Sequence, residues 1–137
     1  MENYLAAESL ITARLKARIP DITVQSTWGM SKIQELPELL PAVLVVLEAD
    51  LPGEINLAGR AQKVEQVWNC IVVVKDAETE AGPLISQVIQ AMSGWQPDDT
   101  GFSPFKRVKS GFAHEYSPST AFYFPVAFAT SFVFNIG

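Results

Sequence analysis

The sequence holds one cysteine, Cys70, and one histidine, His114, among 137 residues. A single cysteine excludes an internal disulfide framework and any cysteine-based zinc cluster. A single histidine excludes a multi-histidine metal site and leaves little material for a Ser-His-Asp triad. Charged residues are also sparse, at 18% against 48% hydrophobic, which excludes an intrinsically disordered chain. Long apolar runs are missing. Residues 39–47 and 121–129 are the longest, and each contains a proline; both fall far short of the ~20 residues that span a bilayer. Neither a phosphate-cradling glycine loop nor an HExxH or GxSxG pattern occurs. The length suits one domain, residues 1–137, large enough to fold without metal or disulfides.

Basic residues are outnumbered. Ten Lys+Arg against fifteen Asp+Glu give a net charge of −5, the wrong sign for a protein that wraps nucleic acid by neutralising phosphates. The charge is uneven. Residues 101–137 hold three basic residues and one acidic one, and the basics, Lys106, Arg107 and Lys109, fall within four positions. They read as a solvated strand face or as a functional patch. The start, Met1-Glu2-Asn3-Tyr4, lacks a basic segment ahead of an apolar one. A chain made in the cytosol, working there or in an assembly built there, is expected.

What is present is a pattern of two helices and several strands. Residues 3–18 carry Tyr4, Ala7, Ile11 and Leu15 at three-to-four spacing, with Asn3 placed to cap and Pro20 to stop the helix. Residues 22–26 alternate as a short strand. Residues 28–41 contain Gly29, Pro37 and Pro41 and read as a loop with one helical turn near 31–36. Residues 42–48 are apolar on both faces, as in a strand covered on both sides. Residues 62–75 read as one strand of about 45 Å at ~3.3 Å per residue. That exceeds what a small core needs, so its first half is expected to project as an arm, together with the connection 51–60. Pro83 opens a second helix with an apolar stripe of Leu84, Ile85, Val88, Ile89 and Met92, and Gly94 closes it. Residues 105–116 read as a strand interrupted at Ser110-Gly111. Finally, Phe122, Phe124, Val126, Phe128, Thr130, Phe132 and Phe134 repeat at period two. The face between them is small from Ala127 to Ser131, and Pro125 points to an edge or a bulge. The fold class is α+β: a mainly antiparallel sheet with two helices packed on one face and a long projecting β-hairpin. Ile11, Leu15, Val43, Val45, Val72, Val74, Ile85 and Ile89 are expected in the core.

Few constellations offer chemistry. His114 and Glu115 are the one place where a base adjoins a carboxylate, but strand neighbours point to opposite faces. Asp98-Asp99 after Pro97 reads as an aspartate-rich turn before it reads as a cation site. Cys70 sits mid-strand and reads as a buried, inert thiol. No cofactor is implied.

In this order, the segments resemble the tail terminator proteins of long-tailed bacteriophages, including prophage and tail-like bacteriocin forms. The carriers are the first helix ending Arg14-Leu15-Lys16, the lead-in Leu40-Pro41-Ala42-Val43-Leu44-Val45, and the glycine-containing hairpin into residues 64–74. The helix end Ser93-Gly94-Trp95-Gln96-Pro97 and the strand Phe122-Tyr123-Phe124 complete them. The resemblance implies a non-enzymatic virion protein that caps the head-proximal end of the tail tube as a ring, typically a hexamer. Its implied partners are copies of itself, the tail tube protein and a neck or head-completion protein. DNA passes through without specific binding, and no membrane is involved. A six-membered ring would carry about −30, which favours sliding over gripping. On this reading Leu51, Ile55 and Leu57 form an arm that orders against a neighbouring subunit. Lys106, Arg107 and Lys109 meet acidic residues of that neighbour, with Glu54 and Glu65 as leading candidates. Two alternatives stand beside it: another neck or head-completion component of similar fold, and a small ligand-binding or enzymatic domain using His114 and Glu115.

Overall fold

Three fourteen-residue strands form the centre of the computed structural model, which describes residues 3–26, 40–98, 100–116 and 121–136. They are β2 (Ala42–Ile55), β3 (Ala61–Val74) and β6 (Phe122–Asn135). Short strands flank them: β1 (Thr23–Ser26), β4 (Lys106–Val108) and β5 (Glu115–Tyr116). The order across the sheet is β1-β2-β3-β6-β4, and β5 pairs with β6. Among the described residues only the β1–β2 pair is parallel. Of the loop read at 28–41, residues 28–39 lie outside the described residues. The expected α+β architecture is present, with two helices, α1 (Ala7–Arg18) and α2 (Gly82–Met92).

Both helices cover the same face. Ala7, Ile11 and Leu15 of α1 and Leu84, Val88, Ala91 and Met92 of α2 pack on Val43, Val45, Val64, Trp68, Cys70, Val72, Val74, Val126, Phe128 and Phe132. Period two puts alternate residues of each strand on this face. Ile85 and Ile89 differ from expectation: they are half-buried. The core stripe of α2 runs through 84, 88, 91 and 92, and one residue further turns a side chain ~100° toward the flank. α1 starts later than the periodicity suggested. Tyr4–Ala6 form a turn in which the Leu5 N–H donates to Asn3 Oδ1 (3.0 Å).

The helix-free face is buried in part by its own small residues. Ala127 and Ala129 meet Val67, with Ala49 and Val108 against them. The small side chains at 127 and 129 thus lie beside Val108 of the neighbouring strand β4 on the same face. β6 lies inside the sheet rather than at its edge, yet Pro125 falls in the gap between β5, which pairs at 122–123, and β4, which pairs at 127–129. A missing N–H costs no ladder bond to an edge strand in that gap.

The motif Ser93-Gly94-Trp95 has a structural role. Gly94 takes φ +77, and its N–H donates to Phe105 O (2.8 Å). Trp95 stacks on Phe105 with ring centroids 5.3 Å apart, and the Arg14 guanidinium lies 5.3 Å above Trp95. Arg14 Nε also donates to Ala91 O (2.9 Å). Arg14 therefore ties the end of α2 to α1.

Candidate assembly surface

The arm is a formed hairpin. β2 runs on to Ile55, and the turn is confined to 56–60. Asn56 N–H donates to Ala61 O (2.8 Å), and Asn56 Oδ1 accepts from the N–H groups of Arg60 and Ala61. Gly59 supplies the positive φ (+69) the turn requires. β6 accompanies the arm nearly to its tip, pairing Asn135 with Ala61, while the Ile136 N–H donates to Arg60 O (2.7 Å). A three-stranded ladder thus replaces the expected connection that would order only against a neighbour. The projection is also shorter than the sequence suggested. Val64 and Gln66, in the first half of β3, are fully buried, because Tyr4 crosses there and packs edge-on against Phe132 and Phe134.

Residues 51–60 are all exposed. Leu51 (50%), Ile55 (52%) and Leu57 (110%) are apolar and uncovered. They do not share one face. Register slips at Glu48 and between Pro52 and Ile55 exchange the faces of β2. Leu51 opposes Glu65 on the helix-free face, whereas Ile55 opposes Gln62, which lies beside Phe134 on the helix face. Glu54 sits within the second slip.

Among the described residues, each of the two long outer strands keeps a stretch of edge without a strand partner, besides the outer edges of the short strands β1, β4 and β5. β1 covers β2 only at 42–45, so the edge of β2 from 46 to 55 is open. On the far side of β6, β5 and β4 reach only to Ala129, and Ser103 N–H donates to Ser131 O (2.9 Å), leaving 132–135 open. β2 and β6 are each antiparallel to β3, so both open edges run in the same direction.

The basic cluster is divided. Lys106 opposes Ala129 and shares the helix-free face with Val108 and Glu65, while Arg107 alternates to the other face. All three basics are exposed. Lys109 starts a strap, residues 109–114, that leaves the edge and crosses the helix-free face. The strap is pinned by Glu48, the bulged residue of β2. Its Oε1 accepts from Asn69 Nδ2 (2.7 Å) and Ser110 Oγ (2.7 Å), and its Oε2 accepts from Gly111 N–H (2.9 Å). The fully buried Asn69 also donates to Ser110 Oγ (2.9 Å) and accepts from Val126 N–H (3.1 Å). A bulge and an amide bury this polar cluster with its partners made. The signal in sequence was a polar residue at the end of one apolar run, Glu48, and one inside another, Asn69. Glu48→Ala is expected to destabilise the fold by about 1–3 kcal/mol, because a buried amide loses its charged acceptor. Trypsin should then cut after Lys109 faster than in the wild type, measured on a denaturing gel; equal rates would mean that Glu48 does not hold the strap.

Of the residues read for chemistry, His114, Cys70 and Asp98 are described. The His114 ring is exposed and lies 6.2 Å from the rings of Phe122 and Phe124. The Glu115 side chain and Asp99 lie outside the described residues. Burial pushes the Cys70 thiol up to about 12, which keeps it protonated and unreactive at ordinary pH. Among the described residues no group of three His, Cys, Asp or Glu side chains could hold a metal ion, and no helix is long and apolar enough to cross a membrane.

What remains is a sheet with matched open edges and an exposed apolar arm. The model of the phage tail terminator protein family matches residues 1–136. The chain belongs to that family. No curated protein matches it. Membership in the terminator family makes it a structural component of a phage tail.

Proposed function

We propose that this terminator closes into a ring, a hexamer by family likeness, on the head-proximal end of the tail tube. There it ends tail polymerisation and offers the surface to which the head joins. It catalyses no reaction, is assembled in the host cytoplasm, contacts tail tube protein on one side and a neck or head-completion protein on the other, and lets DNA pass without specific binding. The observation that carries this reading is the pair of open edges on β2 and β6. Rotation about an axis along the strands preserves strand direction, so β2 of one subunit can lie parallel to β6 of the next and repeat head-to-tail until the ring closes. Strand addition satisfies the unpaired N–H and C=O groups that an open edge otherwise leaves to solvent.

Lys106, Arg107 and Lys109 continue the β6 side of that contact, and Glu54 lies on the β2 side. Glu65 projects from the same helix-free face as Lys106. Rim pairs of this kind are worth ~0–1 kcal/mol each and act mainly on rate and salt sensitivity. Reversing Lys106 and Arg107 to glutamate together should slow ring formation at low salt and leave the unfolding midpoint nearly unchanged. Equal assembly kinetics at low salt would remove the charge contact.

The function itself is tested by electron microscopy of particles made without the protein. Tails of uncontrolled length are expected. Normal tails beside tail-less heads would instead assign the chain to the neck.

A further inference from the structure

Beside the open end of β6 lies a groove of about 640 Å³. Its walls are Ala6 of the turn before α1, Leu10 of α1, Phe102 of the connection before β4, and Phe132 and Val133 of β6, with Asn135 at the rim. Phe102 and Phe132 are 1% and 2% exposed and meet edge-on, ring centroids 5.3 Å apart. The groove therefore has a packed aromatic floor. At the tip of the arm the opposite situation holds, with Leu57 wholly in solvent and Ile55 half exposed.

We propose that the groove is the socket for the arm of the adjacent subunit, seating its Ile55 and Leu57. This rests on the ring reading and adds to it a specific contact. Three observations fix the occupant as a second copy of this chain. The first is direction. β2 runs parallel to β6, so a neighbour's β2 laid along the open edge brings its Ile55 end to the Asn135 end of β6, where the groove is. The second is face. Ile55 lies on the helix side of the sheet, through its pairing with Gln62, and the groove wall opposite β6 is the first helix. The third is charge. The turn of the arm, residues 56–60, carries Arg60 and no acid, whereas the segments that wall the groove carry Glu8, next to Ser9, and Asp98, two residues before Thr100. Seating removes an apolar side chain from water at a head-to-tail contact, the type that closes a ring.

The test uses the full chain with Ser9→Cys and Leu57→Cys together. Ser9 lines the groove and is exposed; the native Cys70 is buried and does not compete. Oxidation with diamide should give a ladder of covalent oligomers on a denaturing gel, ending at the size that native mass spectrometry gives for the ring. Each single variant should stop at dimer. In parallel, Leu57→Asp should raise the concentration needed for half assembly at least tenfold without moving the unfolding midpoint. A ring in native mass spectra with no ladder overturns the socket and leaves the ring reading intact. Wild-type protein that stays monomeric at every concentration overturns both.

Discussion

Trp68→Ala is expected to cost about 3–5 kcal/mol, the range for removing a fully buried tryptophan. The side chain is 0% exposed in the middle strand of the sheet, with Leu47 and Phe128 opposite it on the two flanking strands. Its removal leaves a cavity under the helices that close-packed neighbours fill only partly. It also takes a hydrogen bond away. Trp68 Nε1 donates to Gln66 Oε1 (3.1 Å), and Gln66, itself fully buried, donates through Nε2 to Asp50 Oδ1 (3.1 Å) and Tyr4 O (3.3 Å). Tyr4 in turn donates to Asp50 Oδ2 (3.2 Å). One substitution thus loosens both the core and the polar link between the chain start and the base of the arm. Against a total stability of order 5–15 kcal/mol, this loss is a third or more of the whole in a domain near the lower end, and the variant should unfold at a markedly lower urea concentration. Urea denaturation followed by circular dichroism measures the loss; a change under about 1 kcal/mol would show that the space collapses around the gap.

The second large effect is expected in assembly rather than in stability. Gly53 lies at the bulge of the arm, and a Cβ built there would sit 2.8 Å from the carbonyl oxygen of Lys63 on the facing strand. That oxygen belongs to the ladder and moves only if the ladder opens. Gly53 O also accepts from Gln62 Nε2 (2.8 Å), which pins the two strands beyond the bulge. Gly53→Val therefore splays the arm from residue 53 outward. Residues 51–60 are exposed, so little buried surface is lost, and the unfolding free energy should move by no more than about 1 kcal/mol. Ring formation should fall at least tenfold, because an arm with the wrong twist cannot lie along a neighbour's edge. Native mass spectrometry beside a denaturation curve separates the two effects. Wild-type rings from the valine variant would show that the arm is not part of the contact.

Elements that repeat at a fixed period were legible in the sequence. The alternation from Phe122 to Phe134 marked one strand with an aromatic core face, and the structure buries Phe128 and Phe132 there with Phe134 packed beside them. The stripe Ala7, Ile11, Leu15 marked the buried side of the first helix in the same way. The excess of acid, the lone cysteine and the lone histidine bounded the chemistry. The order of segments carried the resemblance to tail terminators that the family match bears out. These properties are local: a period or a composition is set by neighbouring residues, whatever the chain does elsewhere.

Register is not local, and the tertiary structure decided it. The slip at Glu48 sends Leu51 to one face and the next sends Ile55 to the other, so the apolar residues of the arm fall on both faces. The cluster Lys106, Arg107, Lys109 divides between two faces once β4 pairs with β6. Glu48 and Asn69, twenty-one positions apart, meet only because two strands pair in one register, and Ser110 joins them only because the strap crosses the sheet. The groove at Phe102 and Phe132 forms where the first helix, a connection and the last strand converge. Sequence alone determined which residues favour water and which avoid it. The surfaces a terminator can offer to its neighbours depend on which strand edges stay open, and that is set by pairing between segments far apart in the chain.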